Sequence, residues 1–146
     1  MKDMLEVTIL LIVAFGFSSM IGYLGTANYL VLITANLPSA LLPVLALLLS
    51  AIIAFCTGTS AGTVLLMIPL IIPMALGNEA AIVLLTGAII SGSVFGDQNS
   101  VISDTVIMTS SMIGIDPIDH FKTQIPYTAL AVGISAVLYF IAGLVI

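Results

Sequence analysis

GDQNSVISDT, residues 96–105, lies between AAIVLLTGAIISGSVF and VIMTSSMIGI. The stretch carries two carboxylates (Asp97, Asp104), two side-chain amides (Gln98, Asn99) and three hydroxyls (Ser100, Ser103, Thr105). Its neighbours on both sides are apolar enough for a lipid interior. Whether these polar groups stand in water or at depth among helices decides how the rest of the chain is read.

Composition settles the broad class. The chain has 146 residues, 61% hydrophobic and 6% charged. Soluble domains carry roughly 25% charged residues, so this chain has too few to clothe a water-facing surface, and an integral membrane protein is predicted. The apolar runs are long and continuous, which predicts α-helices; a membrane barrel would alternate apolar and polar residues in segments of roughly ten. The two basic residues are both Lys, which argues against a nucleic-acid surface. Cys56 stands alone and supplies neither a disulfide framework nor a metal cluster. The N-terminal MKDMLEVTILLIVAFGF has acids beside its Lys and no small-residue cleavage site, so it reads as a retained span rather than a signal peptide.

Residues 5–33 form a first long or tilted span, which NLP at 36–38 ends. Residues 38–56 make a second membrane-length helix. TGTSAGT, 57–63, then supplies small and hydroxyl residues that favour turns over helix. VLLMIPLIIPMAL, 64–76, is too short to cross alone, and Pro69 and Pro73 kink it. GNE at 77–79 is a turn. A further helix, 80–95, is interrupted over 96–104 and resumes over 105–113. GIDPIDHFKT, 114–123, reads as a loop, with Asp116, Asp119, His120 and Lys122 solvated, and the chain closes on a terminal span.

Two topologies fit these pieces. Residues 38–76 are either a broken crossing helix or a re-entrant hairpin with TGTSAGT at its tip. A single helix of that length would run about 58 Å, nearly twice the hydrocarbon thickness. A hairpin also puts Lys2 and Lys122 on one side, which the positive-inside rule makes cytoplasmic. The expectation is an all-α membrane protein of the ion-transporter type: one domain over 1–146, three crossings, one hairpin, one unwound helix, N-terminus in and C-terminus out.

Lipid cannot satisfy the backbone of a helix break, so both breaks must be buried in protein or line a wet cavity. Paired breaks of this kind mark a transporter's binding site. Asp97 and Asp104 are the candidate metal ligands; Asn99, Ser100, Ser103 and Thr105 join them, and Thr57, Thr59, Ser60 and Thr63 come from the first break. Na+ is small and hard and needs several oxygens in place of its water shell. A low-dielectric site disfavours a bare carboxylate, so an acid that releases a cation can take a proton instead. On an unbroken helix the two acids would sit about 10 Å apart along the axis; chelating one ion requires unwinding, which Gly96 and Asn99 permit. Asp104 also fits a simpler role as N-cap of a helix starting at Thr105.

Two stretches, GTSAGTVLLMIPLIIPMA at 58–75 and ISGSVFGDQNSVISDTVIMTSSMIGIDPIDHFKTQIPYTAL at 90–130, resemble the C-terminal part of the NhaC-type Na+/H+ antiporter family, and LGTANYLV at 24–31 fits as well. The resemblance implies inverted repeats with hairpin tips and unwound helices at a central site, and exchange of Na+ for H+, of malate for lactate, or of amino acids. The family's G-D-x-x-S-x-I-S-D-T pattern falls on Gly96, Asp97, Ser100, Ile102, Ser103, Asp104 and Thr105. Its T-G-T-S-x-G-T pattern falls on Thr57, Gly58, Thr59, Ser60, Gly62 and Thr63. Three positions depart from it: Gln98 stands where the family usually has His, Val101 where it has Pro, and Ala61 where it often has Trp.

The chain is about one repeat long where the family has two. The expectation is therefore a cation/proton antiporter subunit, completed by a second copy or by a sister subunit. It needs no cofactor, catalyses no covalent reaction and lies in a bacterial or archaeal cell membrane. An antiporter of organic anions or amino acids on the same fold, and a non-transporting membrane module or fragment, are the alternatives.

Overall fold

The structure is a computed structural model. It describes residues 40–75 and 79–145, together with residues 9, 12, 16, 20, 23, 24 and 38. Most of the expected first span, LGTANYLV beyond Leu24 among it, lies outside the described residues, as do Gly77 and Asn78 of the expected turn. Among the described residues every regular element is helical: α1 (Leu41–Thr57), α2 (Ser60–Ile71) with a 3-10 turn (Ile72–Ala75), α3 (Glu79–Gln98), α4 (Asp104–Ile113) and α5 (Pro117–Val145).

α1 is an aliphatic run whose one proline, Pro43, sits in the first turn, where a missing N–H costs little. It stops at Gly58, which adopts φ 68° and donates its N–H to the Ala54 carbonyl at 2.8 Å. That left-handed residue is a C-terminal stop that glycine enters at little cost. Thr59 is extended and accepts from the Gly62 N–H at 3.4 Å, so α2 restarts at Ser60. The first break is thus narrower than composition implied. Gly58 and Thr59 are unwound, whereas Ser60–Thr63 already belong to α2.

The register of α1 on α3 fixes the path of the chain. A β-carbon on Gly92 would collide with the Leu47 carbonyl oxygen, and one on Gly96 with that of Ala51; one on Gly58 would lie 3.0 Å from the Ile102 carbonyl oxygen. The numbers rise together, so α1 and α3 run parallel in backbone contact. Their starts lie at the same end, and the segment between them must fold back. α2 and the 3-10 turn make that return. Met67 and Ala75 pack with Ala46 and Leu47 of α1 and Leu85, Ala88 and Ile89 of α3. α5 runs the other way: Gly143 meets Ala40, Tyr139 meets Gly87 and Ser91, and Thr128 meets Asn99.

Two expected boundaries shift. α3 continues through Gly96, Asp97 and Gln98, so the second break spans residues 99–103 rather than 96–104. Gly96 is a packing glycine and not an unwinding one, because its bare backbone admits α1. The expected loop at 114–123 shrinks to residues 114–116. Asp116 accepts from the Ile118 N–H at 2.8 Å, and Pro117, pre-set for the first helical position, starts α5. His120 and Lys122 are therefore helical, and Lys122 pairs with Asp119 at 3.3 Å.

α3 and α5 are long and apolar enough to cross a membrane. α5 runs about 43 Å, and of its residues Gly143 is buried. Side chains such as Leu130, Ile134 and Val137 stand exposed.

Candidate functional site

The two breaks meet. Gly58, buried at the end of α1, lies against the backbone of Ile102 in the second break. The C-terminal ends of α1 and α3 therefore lie side by side, and α2 and α4 start from the same place. Free carbonyls cluster at the first pair of termini and free N–H groups at the second.

Asp97 sits in the last turn of α3 at 5% exposure. Its Oδ1 accepts from Ser103 Oγ at 2.6 Å, and Ser103 Oγ lies 2.6 Å from Thr105 Oγ1. An ionised carboxylate is acceptor-only, which fixes the proton order in that state: Thr105 donates to Ser103, and Ser103 to Asp97. Ser103 also caps α4, accepting from the Thr105 N–H at 3.2 Å. The capping role expected of Asp104 belongs to Ser103. Asp104 is the first residue of α4, exposed, and makes none of these bonds. The two carboxylates thus occupy different environments, one buried and one open.

The break is tied down by local bonds and by α5. Asn99, 2% exposed, donates Nδ2 to the Phe95 carbonyl at 2.7 Å and accepts from Thr128 Oγ1 at 2.6 Å. Gln124 Nε2 donates to Gln98 Oε1 at 3.3 Å. The Ser100 N–H bonds the Asp97 carbonyl at 3.1 Å, and Ser100 is buried. Thr128 and Gln124 carry no signal in the motif. Their only mark in the sequence is a pair of polar residues four apart at the head of an apolar span, which share a helix face.

In the first break the hydroxyl protons of Thr57 and Thr63 are committed to backbone carbonyls. Thr57 donates to the Ile53 carbonyl at 2.9 Å and Thr63 to the Thr59 carbonyl at 2.8 Å. Their two oxygens lie 3.3 Å apart. Thr59 accepts from Gly62, and Ser60 opens α2. With their protons committed, the Thr57 and Thr63 oxygens present lone pairs, which is what a hard cation requires. None of these hydroxyls bonds the Asp97–Ser103–Thr105 chain; the breaks touch through Gly58 and Ile102. Among the described residues no three His, Cys, Asp or Glu side chains converge. Oxygens for a cation would come from hydroxyls, amides and carbonyls around the one buried carboxylate.

The close approach that holds this site was legible as Gly92-x-x-x-Gly96 in an apolar helix, a spacing that brings helix backbones together.

Comparison with known proteins places the chain. The Na+/H+ antiporter family profile matches residues 1–144. A Haemophilus influenzae protein, described as uncharacterized, is 36% identical over 144 residues, covering 97% of this chain. That alignment takes in 28% of the relative's own length, so the chain spans little more than a quarter of it. No solved structure matches. The match over nearly the whole chain, together with two helix breaks that meet through Gly58 and Ile102, leads to one conclusion: this is a membrane protein that belongs to the Na+/H+ antiporter family.

Proposed function

We propose that the chain forms part of a Na+/H+ antiporter in which Asp97 alternates between a cation and a proton. The observation that carries this is the burial of the Asp97 carboxylate at a helix break, with Ser103 and Thr105 bonded in series to it. Dehydrated Na+ binds the carboxylate and neighbouring oxygens; when it leaves, a proton neutralises the acid that burial would otherwise penalise. Ser103, Thr105, Ser100 and Asn99 orient the carboxylate or ligate the ion, and Thr57, Thr59, Ser60 and Thr63 contribute oxygens from the facing break. Asp104, exposed at the start of α4, is an outer carboxylate that gathers cations. Apart from protonation and deprotonation of the Asp97 carboxyl, exchange involves no covalent chemistry and uses no cofactor.

In the membrane, α1 and α2 form a re-entrant hairpin, α3 through α4 an interrupted crossing, and α5 the final crossing. The fold-back of α2 supports this topology over a single broken helix, because α1 and α3 start at one end. The remaining part of the site comes from a second repeat, on another copy, on a sister subunit or on a longer polypeptide, in a bacterial or archaeal cell membrane. The short coverage of the Haemophilus relative supports such a larger whole.

The test is reconstitution into liposomes with a pH gradient, adding Na+, Li+, K+ or malate in turn. Na+-dependent proton movement that Asp97→Asn abolishes is the expected result. Movement with malate alone would replace the cargo with an organic anion. Absence of movement from the chain both alone and with any co-purifying partner would refute transport.

A further inference from the structure

α5 reaches the second break through two side chains one turn apart. Thr128 Oγ1 donates to Asn99 Oδ1 at 2.6 Å, and Gln124 Nε2 donates to Gln98 Oε1 at 3.3 Å. Residues four apart share a helix face, so both bonds come from one side of α5. They grip two consecutive residues, the two that follow Asp97. Hydroxyls within the helices of this chain commonly close onto the carbonyl four residues earlier, as those of Thr86, Ser93 and Ser110 do at 2.7–2.8 Å. Thr128 departs from that habit. Its oxygen stands 3.2 and 3.1 Å from the Gln124 and Ile125 carbonyls, farther than from Asn99. The short bond of this hydroxyl goes to the other helix.

Asn99 passes that hold on to the acid. It opens the break, is 2% exposed, and its Nδ2 is bound to the Phe95 carbonyl. Two turns follow. The Ser100 N–H bonds the Asp97 carbonyl and the Ser103 N–H bonds the Ser100 carbonyl, each at 3.1 Å. They return the chain to Asp97, where Ser103 Oγ meets Oδ1. Asp97, Ser100 and Ser103 thus close a ring of three hydrogen bonds. Among the described residues, the side-chain bonds that reach residues 98–103 from a helix remote in sequence are those of Gln124 and Thr128.

Close packing does little to fix α5 at this end. Its buried residue is Gly143, which sits against Ala40 at the far end. Between Gly143 and Thr128 the helix stands off α3 over two half-open grooves of about 210 and 280 Å³, crossed by the Ser91–Tyr139 bond at 2.9 Å. In lipid, helices gain nothing from the hydrophobic effect on meeting, so backbone packing and interhelical hydrogen bonds decide how they sit. At the head of α5 the two bonds to Gln98 and Asn99 fill that role.

We propose that Gln124 and Thr128 are positioning residues for Asp97: by gripping Gln98 and Asn99 they hold residues 99–103 in the course that sets Ser103 Oγ on the carboxylate. They act through the break rather than on the ion. Their effect on exchange rests on the Na+/H+ reading; their hold on the Ser103–Asp97 bond does not.

The test is infrared difference spectroscopy of the full chain in liposomes, run beside Na+-dependent proton flux. The Asp97 carboxyl band is assigned by its loss in Asp97→Asn, and Ser103→Ala gives its position without the serine bond. Thr128→Val and Gln124→Leu are each expected to move the band towards the Ser103→Ala position. Each should also raise KM for Na+ several-fold while leaving flux at saturating Na+ largely intact, the pattern of weakened binding. Thr128→Ser, which keeps the hydroxyl, should restore both. Tyr139→Phe breaks the Ser91 bond farther along the seam and is expected to lower stability alone. In a Ser103→Ala background Thr128→Val should raise KM no further, because residues that act through one bond do not add. Should Thr128→Val fail to fold, Gln124→Leu reads the same hold. A band that stays in place in Thr128→Val and Gln124→Leu would overturn the proposal, as would KM changes no larger than that of Tyr139→Phe. Shifted bands in a chain whose wild type moves no protons with Na+ would sink the antiport reading and leave the positioning role standing; wild-type exchange with unshifted bands would do the reverse.

Discussion

Gly96→Ala isolates the contact that holds the site together. A β-carbon at this position would lie 2.7 Å from the Phe55 nitrogen and 2.8 Å from the Ala54 β-carbon, with the Ala51 carbonyl oxygen closer still. Ordinary carbon–carbon contact is about 3.5–4.0 Å, so α1 must move away by roughly 1 Å. Two of the three obstacles are backbone atoms, and no rotamer change relieves them. Overpacking of this kind costs about 1–3 kcal/mol, set against a helix-propensity gain of about 0.5–1 kcal/mol for replacing glycine by alanine. Gly133→Ala is the control. It lies in α5 with nothing within 4 Å of its would-be β-carbon and should show the gain alone. The two variants should therefore differ by about 1–3 kcal/mol, or about 2–12 °C in melting temperature at 2–4 °C per kcal/mol. Circular dichroism of the detergent-solubilised chain measures this. Displacing Asp97 by that ångström should also cut Na+-dependent proton flux by about two orders of magnitude. Equal melting temperatures for Gly96→Ala and Gly133→Ala would refute the backbone contact, and with it the register that brings the two breaks together.

Three further outcomes follow from the same geometry. Ser103→Ala removes both the cap of α4 and the 2.6 Å bond to Asp97; it should lower stability by about 1–3 kcal/mol and weaken Na+ dependence, with partial recovery in Ser103→Thr. Thr128→Val leaves the buried Asn99 Oδ1 without its donor, a loss of about 1–3 kcal/mol by thermal melt that Thr128→Ser should not show. Gly58→Ala must hold φ 68° and fit a β-carbon 3.0 Å from the Ile102 carbonyl oxygen; it should cost at least about 1–2 kcal/mol and depress flux, whereas Gly114→Ala, equally left-handed but unobstructed, should cost stability alone.

Much of the helix inventory could be read in advance, because the features that end these helices are local. Gly58 and Thr59, Ser103, Gly114, and Asp116 with Pro117 each stop or start a helix through their own backbone preferences or a side chain two or three residues away. The misjudged boundaries have a common cause. Composition alone points to unwinding at Gly96 and to a loop over 114–123. The glycine serves a helix–helix contact, and the polar stretch is the start of a helix that a loop would resemble by residue content alone.

By itself, the sequence determined that this is an apolar, helical membrane chain with two breaks rich in oxygen-bearing side chains, because hydropathy and capping chemistry act over a few residues. The tertiary structure alone decided which groups belong together. It buried Asp97 and left Asp104 exposed, set Gly58 against Ile102, and brought Thr128 and Gln124 of α5 onto the second break. Those pairings span up to 44 residues of sequence, and they follow from the parallel seating of α1 on Gly92 and Gly96. No local preference encodes which helix fills the groove that two missing β-carbons create.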